Sequence, residues 1–171
     1  MLNIEPGMWG LLGVVTGGLI TTGASYFLES SRERRESASL AAAFKGELRA
    51  IQQIVTRRKY IETLREIVEY IDTTGNDFPA LGVRIEQEYF GVYKANVSKI
   101  GKLPSPLPER IATFYAMTFA LLEDFKIAST GLPPNSSTDD QKRFYGDMIT
   151  LLEDNAKAAD EIVAIIGAKY G

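Results

Sequence analysis

The stretch TDDQKRFYGDMITLLEDNAKAADEIVAIIGAK, residues 138–169, has apolar residues spaced three or four apart, the spacing of one face of an α-helix. This face comprises Phe144, Met148, Leu151, Leu152, Ala159, Ile162, Val163 and Ile166. Thr138 with Gln141 three residues later predicts a capping box where the helix begins, and Asp139 and Asp140 between them supply acidic residues to the first turn. Because the apolar face runs along the whole helix, other helices must cover it.

Part of this helix is repeated earlier in the chain. The segments FYAMTFALLED (114–124) and FYGDMITLLED (144–154) share Phe-Tyr at the start and Leu-Leu-Glu-Asp at the end, with an offset of 30 residues. A helical repeat array would produce such an echo, but an array needs about three units to bury a continuous core. We interpret the echo as two similar amphipathic helices packed in one bundle, with a repeat as the alternative.

The first half of the chain predicts one very long helix. From Ser37 onward apolar residues again fall at helical spacing, and no proline occurs from Gly7 to Phe78. A helix is therefore expected to continue to about Ile71, with Gly46 as its only internal weak point.

Loops and caps divide the remainder into helices. A second helix is predicted over Arg84–Ile100 with Gly101 as its left-handed C-cap, and a third begins near Pro108 in its first turn. Residues 72–79 and 131–137, rich in Gly, Pro, Asn and Asp, are expected to be loops. No strand pattern of comparable strength occurs, so the predicted fold class is all-α, an antiparallel helical bundle preceded by an N-terminal helix.

The N-terminal stretch WGLLGVVTGGLITTGASYFL, residues 9–28, contains no charged side chain. Including Gly7, the uncharged stretch has 22 residues, which as a helix covers the ~30 Å hydrocarbon core of a bilayer. No Lys or Arg precedes it, which argues against a signal peptide. Trp9 and Tyr26 lie near its ends as interface aromatics, and a transmembrane helix is therefore predicted.

Basic residues follow the stretch. Arg32, Arg34 and Arg35 are expected to contact lipid headgroups and to set the topology, with the N-terminus outside and the C-terminal region in the cytoplasm. The predicted location is the inner (plasma) membrane, crossed once. The predicted domains are residues 1–28 as tail and transmembrane helix, 29–36 as a basic juxtamembrane segment, and 37–171 as a cytoplasmic helical bundle.

Small residues recur along one side of the predicted span. They are Gly10, Gly13, Gly17, Thr21 and Ser25. Such a stripe lets helix backbones approach closely in lipid and predicts helix packing in the membrane. The alternative is that these residue types are simply common in membrane spans.

Catalytic chemistry has little support in the sequence. The chain has no Cys and no His, which excludes disulfides, thiolate and imidazole chemistry and nearly all zinc sites. Glu62, Glu66 and Glu69 lie on adjacent helical turns, but Arg65 among them favours an ion-paired face over a metal site. No phosphate loop or nucleophile elbow is present. We therefore predict no enzyme activity, no metal, no cofactor and no evident small-molecule substrate.

Neither the charge nor the polar residues on apolar faces indicate a nucleic-acid or catalytic role. The net charge is −3, and the sequence has no nucleic-acid recognition motif, so no nucleic-acid partner is predicted. Residues 29–60 carry eight basic and four acidic side chains, whereas residues 61–171 carry eleven basic and seventeen acidic ones, a net charge of −6. Asn96 and Asn155 fall on or beside apolar faces and are expected to fix helix register through hydrogen bonds.

Residues 90–124, FGVYKANVSKIGKLPSPLPERIATFYAMTFALLED, contain the order Y-x-x-N, I-G-x-L and I-x-x-F-Y. This order resembles a pattern in uncharacterised small bacterial membrane proteins with one N-terminal span and a helical cytoplasmic domain, and it implies no activity. The layout is also similar to membrane accessory proteins of antiviral systems, whose spans assemble into pores. Some of those carry an Arg and His nuclease-like motif, which a chain without His lacks.

The sequence thus predicts a single-pass membrane-anchored scaffold or accessory subunit. It would oligomerise through its small-residue span and recruit a partner through its bundle. The alternative is a homo-oligomeric pore or membrane-perturbing effector gated by the cytoplasmic domain. The expected partners are the lipid bilayer and either further copies of the chain or a membrane-protein complex.

Overall fold

The computed structural model describes residues 6–82, 90–133 and 135–171, with the side chains of the first helix described from Ser25 onward. Within these ranges the chain is all-helical and contains no strand, which confirms the predicted all-α class and helical bundle. The helices are α1 (Pro6–Arg57), α2 (Tyr60–Thr74), α3 (Gly91–Asn96), a 3₁₀ helix (Val97–Lys102), α4 (Leu107–Thr130) and α5 (Thr138–Tyr170).

The chain forms two compact units, residues 1–39 and 40–171. In the second unit, which we call the bundle, α4 and α5 pack antiparallel. Arg110 near the beginning of α4 pairs with Glu161 in the last third of α5. Thr118 accepts a hydrogen bond from Asn155 at 2.9 Å midway along the pair. The apolar faces of α4 and α5 therefore meet along their length.

The end of α1 and the whole of α2 lie along α5 in the opposite direction. Gln52 on α1 donates to Asp160 at 2.9 Å, Arg65 on α2 pairs with Glu153 at 2.5 Å, and Lys142 near the beginning of α5 pairs with Asp72. Successive positions on α1 and α2 thus meet successively earlier positions on α5. The pair α1 and α2 therefore acts as one broken helix that runs antiparallel to α5.

The break is at Arg58–Lys59, and Lys59 has a left-handed backbone with φ of 54°. The prediction of one helix to Ile71 is wrong, and Gly46 lies within α1 without interrupting it. The physical reason lies in the apolar spacing. Buried or half-buried positions follow steps of four, three and four residues on each side of the break, but a step of five separates the two sets: Phe44, Leu48, Ile51 and Val55, then Tyr60, Leu64, Ile67 and Ile71. A continuous helix would turn the second set away from the core.

The N-cap of α5 lies one residue before its predicted position. Ser137, rather than Thr138, caps α5: its Oγ accepts from the Asp140 N–H at 3.2 Å, and Asp140 accepts from the Ser137 N–H at 3.1 Å. The hydrogen bonds from Ser137 lower the pKa of the Asp140 carboxyl. Gln141 is instead buried, and its side chain accepts from the Phe78 N–H at 2.9 Å.

The region between α2 and α4 also departs from the predicted helix over Arg84–Ile100. Residues 83–89 lie outside the described residues. The described part holds the short α3 and the 3₁₀ helix that includes Gly101. Gly101 is not left-handed, so its predicted role as a C-cap is wrong; among described glycines, Gly75 and Gly131 have positive φ. Pro108 does lie in the first turn of α4, as predicted.

The prediction of a membrane location requires a correction. Among the described residues, no helix combines the length and the apolarity that crossing a bilayer requires. This finding contradicts the predicted single-pass location in the inner membrane with the N-terminus outside, on which the pore alternative also depends. The described side chains of α1 lie mostly beyond the predicted span, where Glu29, Arg32 and Glu33 recur at successive turns and each charge in hydrocarbon would cost several kcal/mol.

The structure describes only some of the side chains that were predicted to pack, anchor or orient the membrane span. The side chains of Trp9, Gly10, Gly13, Gly17 and Thr21 lie outside the described residues. Ser25, Tyr26, Arg34 and Arg35 are exposed, and Arg32 pairs with Glu36 one turn later at 3.1 Å.

Candidate functional site: a cavity at the junction of α1 and α2

Two clusters of buried side chains fill the bundle, one at each end of the α4–α5 pair. The Tyr115 cluster comprises Leu40, Ala41, Phe44, Leu48, Phe90, Ile100, Leu103, Leu107, Ile111, Phe114, Tyr115, Leu122, Ala159, Ile162 and Ile166. The Tyr145 cluster comprises Tyr60, Leu64, Ile67, Ile71, Leu81, Leu121, Phe125, Ala128, Tyr145, Met148 and Leu152. The end of α1 covers the first cluster and α2 covers the second, so the break at Lys59 falls where the two meet.

A cavity of about 320 Å³ lies at this meeting point. Its lining draws on both clusters and on both sides of the helix break, and the apolar part includes Val55, Tyr60, Phe114, Leu121, Phe125 and Leu152. Ligand pockets in proteins have volumes of roughly 300–1,000 Å³ and are mostly apolar with a few placed polar groups. The cavity falls at the lower end of that range.

The lining has polar groups on Gln52, Thr56 and Tyr60, and on the pair Asn155 and Thr118. Both side chains of this pair are buried, and the Asn155 Nδ2 donates to the Thr118 hydroxyl at 2.9 Å and to the Phe114 carbonyl at 3.3 Å. The Thr118 hydroxyl donates in turn to the same Phe114 carbonyl at 2.8 Å. This network joins α5 to α4 where the two apolar clusters meet, and Asn155 is one of the two residues that the sequence predicted to set register.

Charged side chains line the solvent side of the cavity. Arg58, Glu62 and Asp160 are exposed and belong to the lining. Asp160 is held by Gln52, whose Nε2 also donates to the Ala156 carbonyl at 3.2 Å. The site therefore has an apolar interior, one polar wall and a charged rim.

A second unusual group is the buried carboxylate of Glu47, which lies beside the Tyr115 cluster. Its oxygens accept from the backbone N–H groups of Val92, at 2.7 Å, and of Tyr93, at 3.0 Å, and from the hydroxyl of Tyr115. Glu47 thereby satisfies N–H groups in the first turn of α3 that have no intrahelical partner. Burial, and then the hydrogen bond to the negative Glu47, raise the pKa of Tyr115 far above its usual value.

Sequence reasoning missed Glu47, which was counted only as a charge. The available signal was its position between Phe44 and Leu48, on the apolar face of α1. An acidic residue at such a position needs hydrogen-bond donors from elsewhere in the fold. The sequence does not show which donors these are.

The other predicted candidates do not converge on a site. Asn96 donates to the Val92 carbonyl one turn earlier, at 2.9 Å, a bond within its own segment. Arg65, from the Glu62–Glu69 stretch, pairs with Glu153 on α5. In the described part of the chain no group of three or more acidic side chains is placed to hold a metal ion.

No protein-family model matches this chain, and no curated protein or solved structure is detectably similar to it. The resemblance of residues 90–124 to small bacterial membrane proteins therefore stays a prediction. Function must be argued from the geometry of this chain alone.

Proposed function

We propose that the chain is a scaffold or accessory protein that associates with copies of itself through its N-terminal unit and recruits a partner through its bundle. The observation that carries the proposal is a run of three consecutive large apolar side chains on α1. Tyr26, Phe27 and Leu28 are 79%, 71% and 68% exposed. Exposed apolar surface that extends over several neighbouring side chains marks protein interaction sites.

The sequence next to this run supports a second copy as the occupant. Residues 7–28 carry no charge, so two such segments can approach without electrostatic repulsion. Removal of apolar surface from water favours their association. The charged side chains that follow from Glu29 set the end of the apolar segment.

The oligomeric state of the full-length chain tests self-association. The expected result from light scattering after size exclusion is a mass that is a multiple of the 18.9 kDa chain. Replacing Tyr26, Phe27 and Leu28 together with Ser should lower the mass toward one chain. Val97→Ser is the matched control, because Val97 is an exposed apolar residue of the bundle. A wild-type protein that stays monomeric at its highest soluble concentration would contradict the proposal.

The part of the bundle from residue 61 onward favours a partner with a basic surface, whereas residues 40–60 carry a net charge of +4. Residues 61–171 have a net charge of −6, and complementary charge increases the rate of association and suppresses wrong partners. Native mass spectrometry of the protein purified at low salt from its own cells should show a defined complex with a second, basic subunit. Detection of this chain alone under those conditions would count against partner recruitment.

A further inference from the structure

We propose that the cavity at the α1–α2 junction binds a neutral, mostly apolar small molecule that carries one hydrogen-bond donor, such as a hydroxyl group. This function goes beyond self-association and partner recruitment. The apolar part of the lining includes Val55, Phe114, Leu121, Phe125 and Leu152, which would remove the body of such a molecule from water.

Asn155 supplies the polar contact. Its Nδ2 is identified by chemistry, because it lies 3.3 Å from the Phe114 carbonyl and a carbonyl oxygen can only accept hydrogen bonds. The side-chain carbonyl oxygen of Asn155 forms no hydrogen bond within the described part of the chain. Asn155 is only 6% exposed and lines the cavity, so this oxygen is left as an acceptor for a bound donor.

Thr118 cannot take over that role. Its hydroxyl already donates to the Phe114 carbonyl and accepts from Asn155. Within the Asn155–Thr118 network the open polar function is therefore an acceptor, and it favours a ligand with an O–H or N–H group.

The charges argue for a neutral ligand. The charged side chains of the lining are at its exposed rim, where Glu62 and Asp160 give two negative charges and Arg58 one positive charge. A carboxylate ligand would meet the excess of negative charge, and any ion placed deeper would lose its hydration without a charged partner.

Volume sets the size of the molecule. An apolar cavity of about 150 Å³ binds benzene, so a cavity of about twice that volume accommodates on the order of 12 non-hydrogen atoms. The cavity here has about 320 Å³. A two-ring alcohol such as 2-naphthol has this size, and it carries the required donor. Naphthalene and 2-methoxynaphthalene are matched probes that lack the donor.

Ala156→Leu and Ala120→Leu provide matched variants. Ala156 lines the cavity on α5, so the three carbons that leucine adds there would occupy ligand space. Ala120 is an exposed alanine on α4 outside the lining, and its substitution controls for a general effect of a larger side chain.

The experiment titrates the full-length protein with each probe and follows chemical shifts by NMR, with the melting temperature as a second readout. 2-Naphthol should bind saturably at one site and raise the melting temperature, and the two probes without a donor should bind about tenfold more weakly, the effect of one lost hydrogen bond. Ala156→Leu should abolish binding and Ala120→Leu should retain it. Intermolecular NOEs from 2-naphthol to Phe125 and Leu121 in the wild-type protein locate the site even if Ala156→Leu fails to fold. Absence of saturable binding, NOEs elsewhere, or equal affinity for all three probes would overturn the proposal.

Discussion

Residues 114–124 of α4 and 144–154 of α5 begin and end with the same amino acids, yet the fold uses them differently. Tyr115 and Tyr145 occupy equivalent positions, and both are fully buried. The Tyr115 hydroxyl donates to Glu47 and its ring stacks on Tyr93 with centroids 3.9 Å apart. Among the described residues the Tyr145 hydroxyl has no hydrogen-bond partner, and its ring meets Phe78 and Phe144 edge-on.

The difference lies in what each helix faces. α1 brings Glu47 to Tyr115, whereas the Tyr145 cluster consists of apolar side chains and Tyr60. Equal burial of the same residue type therefore has opposite energetic consequences. A satisfied buried hydroxyl stabilises the fold, and an unsatisfied one costs about 1–3 kcal/mol.

The largest expected contrast is between the two phenylalanines that begin the segments. Phe114 is buried in the Tyr115 cluster, whereas Phe144 is half-buried at the edge of the Tyr145 cluster. Phe114→Ala should lower the free energy of unfolding by about 3–5 kcal/mol, the loss typical of a core phenylalanine. Phe144→Ala should cost about 1–2 kcal/mol, because less apolar area leaves water at that position. Urea denaturation measures both, and equal losses would show that the two positions are equivalent.

The two tyrosines should respond in opposite directions. Tyr115→Phe should destabilise the protein by about 1.5–3 kcal/mol, the range for a hydrogen bond to a charged group. Tyr145→Phe should stabilise it by up to about 1 kcal/mol, since it removes a buried hydroxyl without a partner. Thermal and urea denaturation provide the measurement.

Glu47→Gln is the control for the tyrosine pair. In a double-mutant cycle, the cost of Tyr115→Phe should shrink when Glu47 is replaced, because the two residues share one interaction. The effect of Tyr145→Phe should stay the same in both backgrounds. Destabilisation by Tyr145→Phe would refute the proposed difference between the segments.

Asn155, the residue that follows the second segment, should matter more than Asn96. The equivalent residue after the first segment is Phe125, so only α5 carries an amide at this point. Asn155→Ala removes hydrogen bonds that join α5 to α4 and should cost about 1–2 kcal/mol. Asn96→Ala removes a bond within one short segment and should cost less than about 0.5 kcal/mol. Similar costs by urea denaturation would remove the distinction between a bond across helices and a local one.

The smallest contrast concerns the aspartates that end the segments. Burial, followed by the negative charges of Asp147 and Glu123, raises the pKa of the Asp124 carboxyl above its usual value. A raised pKa in the folded state gives stability that is present below the unfolded pKa and is lost as the pH rises through the folded pKa. Asp124→Asn should therefore stabilise the protein at pH 7 by about a few tenths of a kcal/mol, the scale of exposed charge interactions, and have no effect at pH 3.

Asp154→Asn is the matched control, because Asp154 is exposed at the equivalent position of α5. Melting temperatures at pH 3 and pH 7 measure the effect of each substitution. We expect no change for Asp154→Asn at either pH. A stabilisation by Asp124→Asn that persists at pH 3 would show that its origin is not the charge.

Local patterns predicted much of this fold for a physical reason. Burial of one helix face requires apolar residues three and four apart, so α4 and α5 were recognisable from their spacing. The break at Lys59 was visible in principle as the five-residue step between Val55 and Tyr60, but the absence of proline favoured a continuous helix. Ser137 and Thr138 are both good N-cap residues, so the pattern could not decide which one caps α5.

The candidate site was much less predictable than the helices. Asn155 was identified as a polar residue on an apolar face, but the cavity it lines was not. The cavity combines α1, α2, α4 and α5 with Phe90, and its volume depends on how the faces on either side of the break fit together. Packing defects are a property of several side chains at once, and no single segment reveals them.

The all-α class and the apolar face of α5 follow from the amino-acid sequence, because periodicity is a local property of the chain. The packing of the helices brings Tyr115 to Glu47, 68 residues away, and leaves the Tyr145 hydroxyl without a hydrogen-bond partner within the described ranges. Hydrogen-bond partners and cavities depend on which helices lie opposite one another. That arrangement comes from the whole core, so identical sequence motifs can have different roles in one bundle.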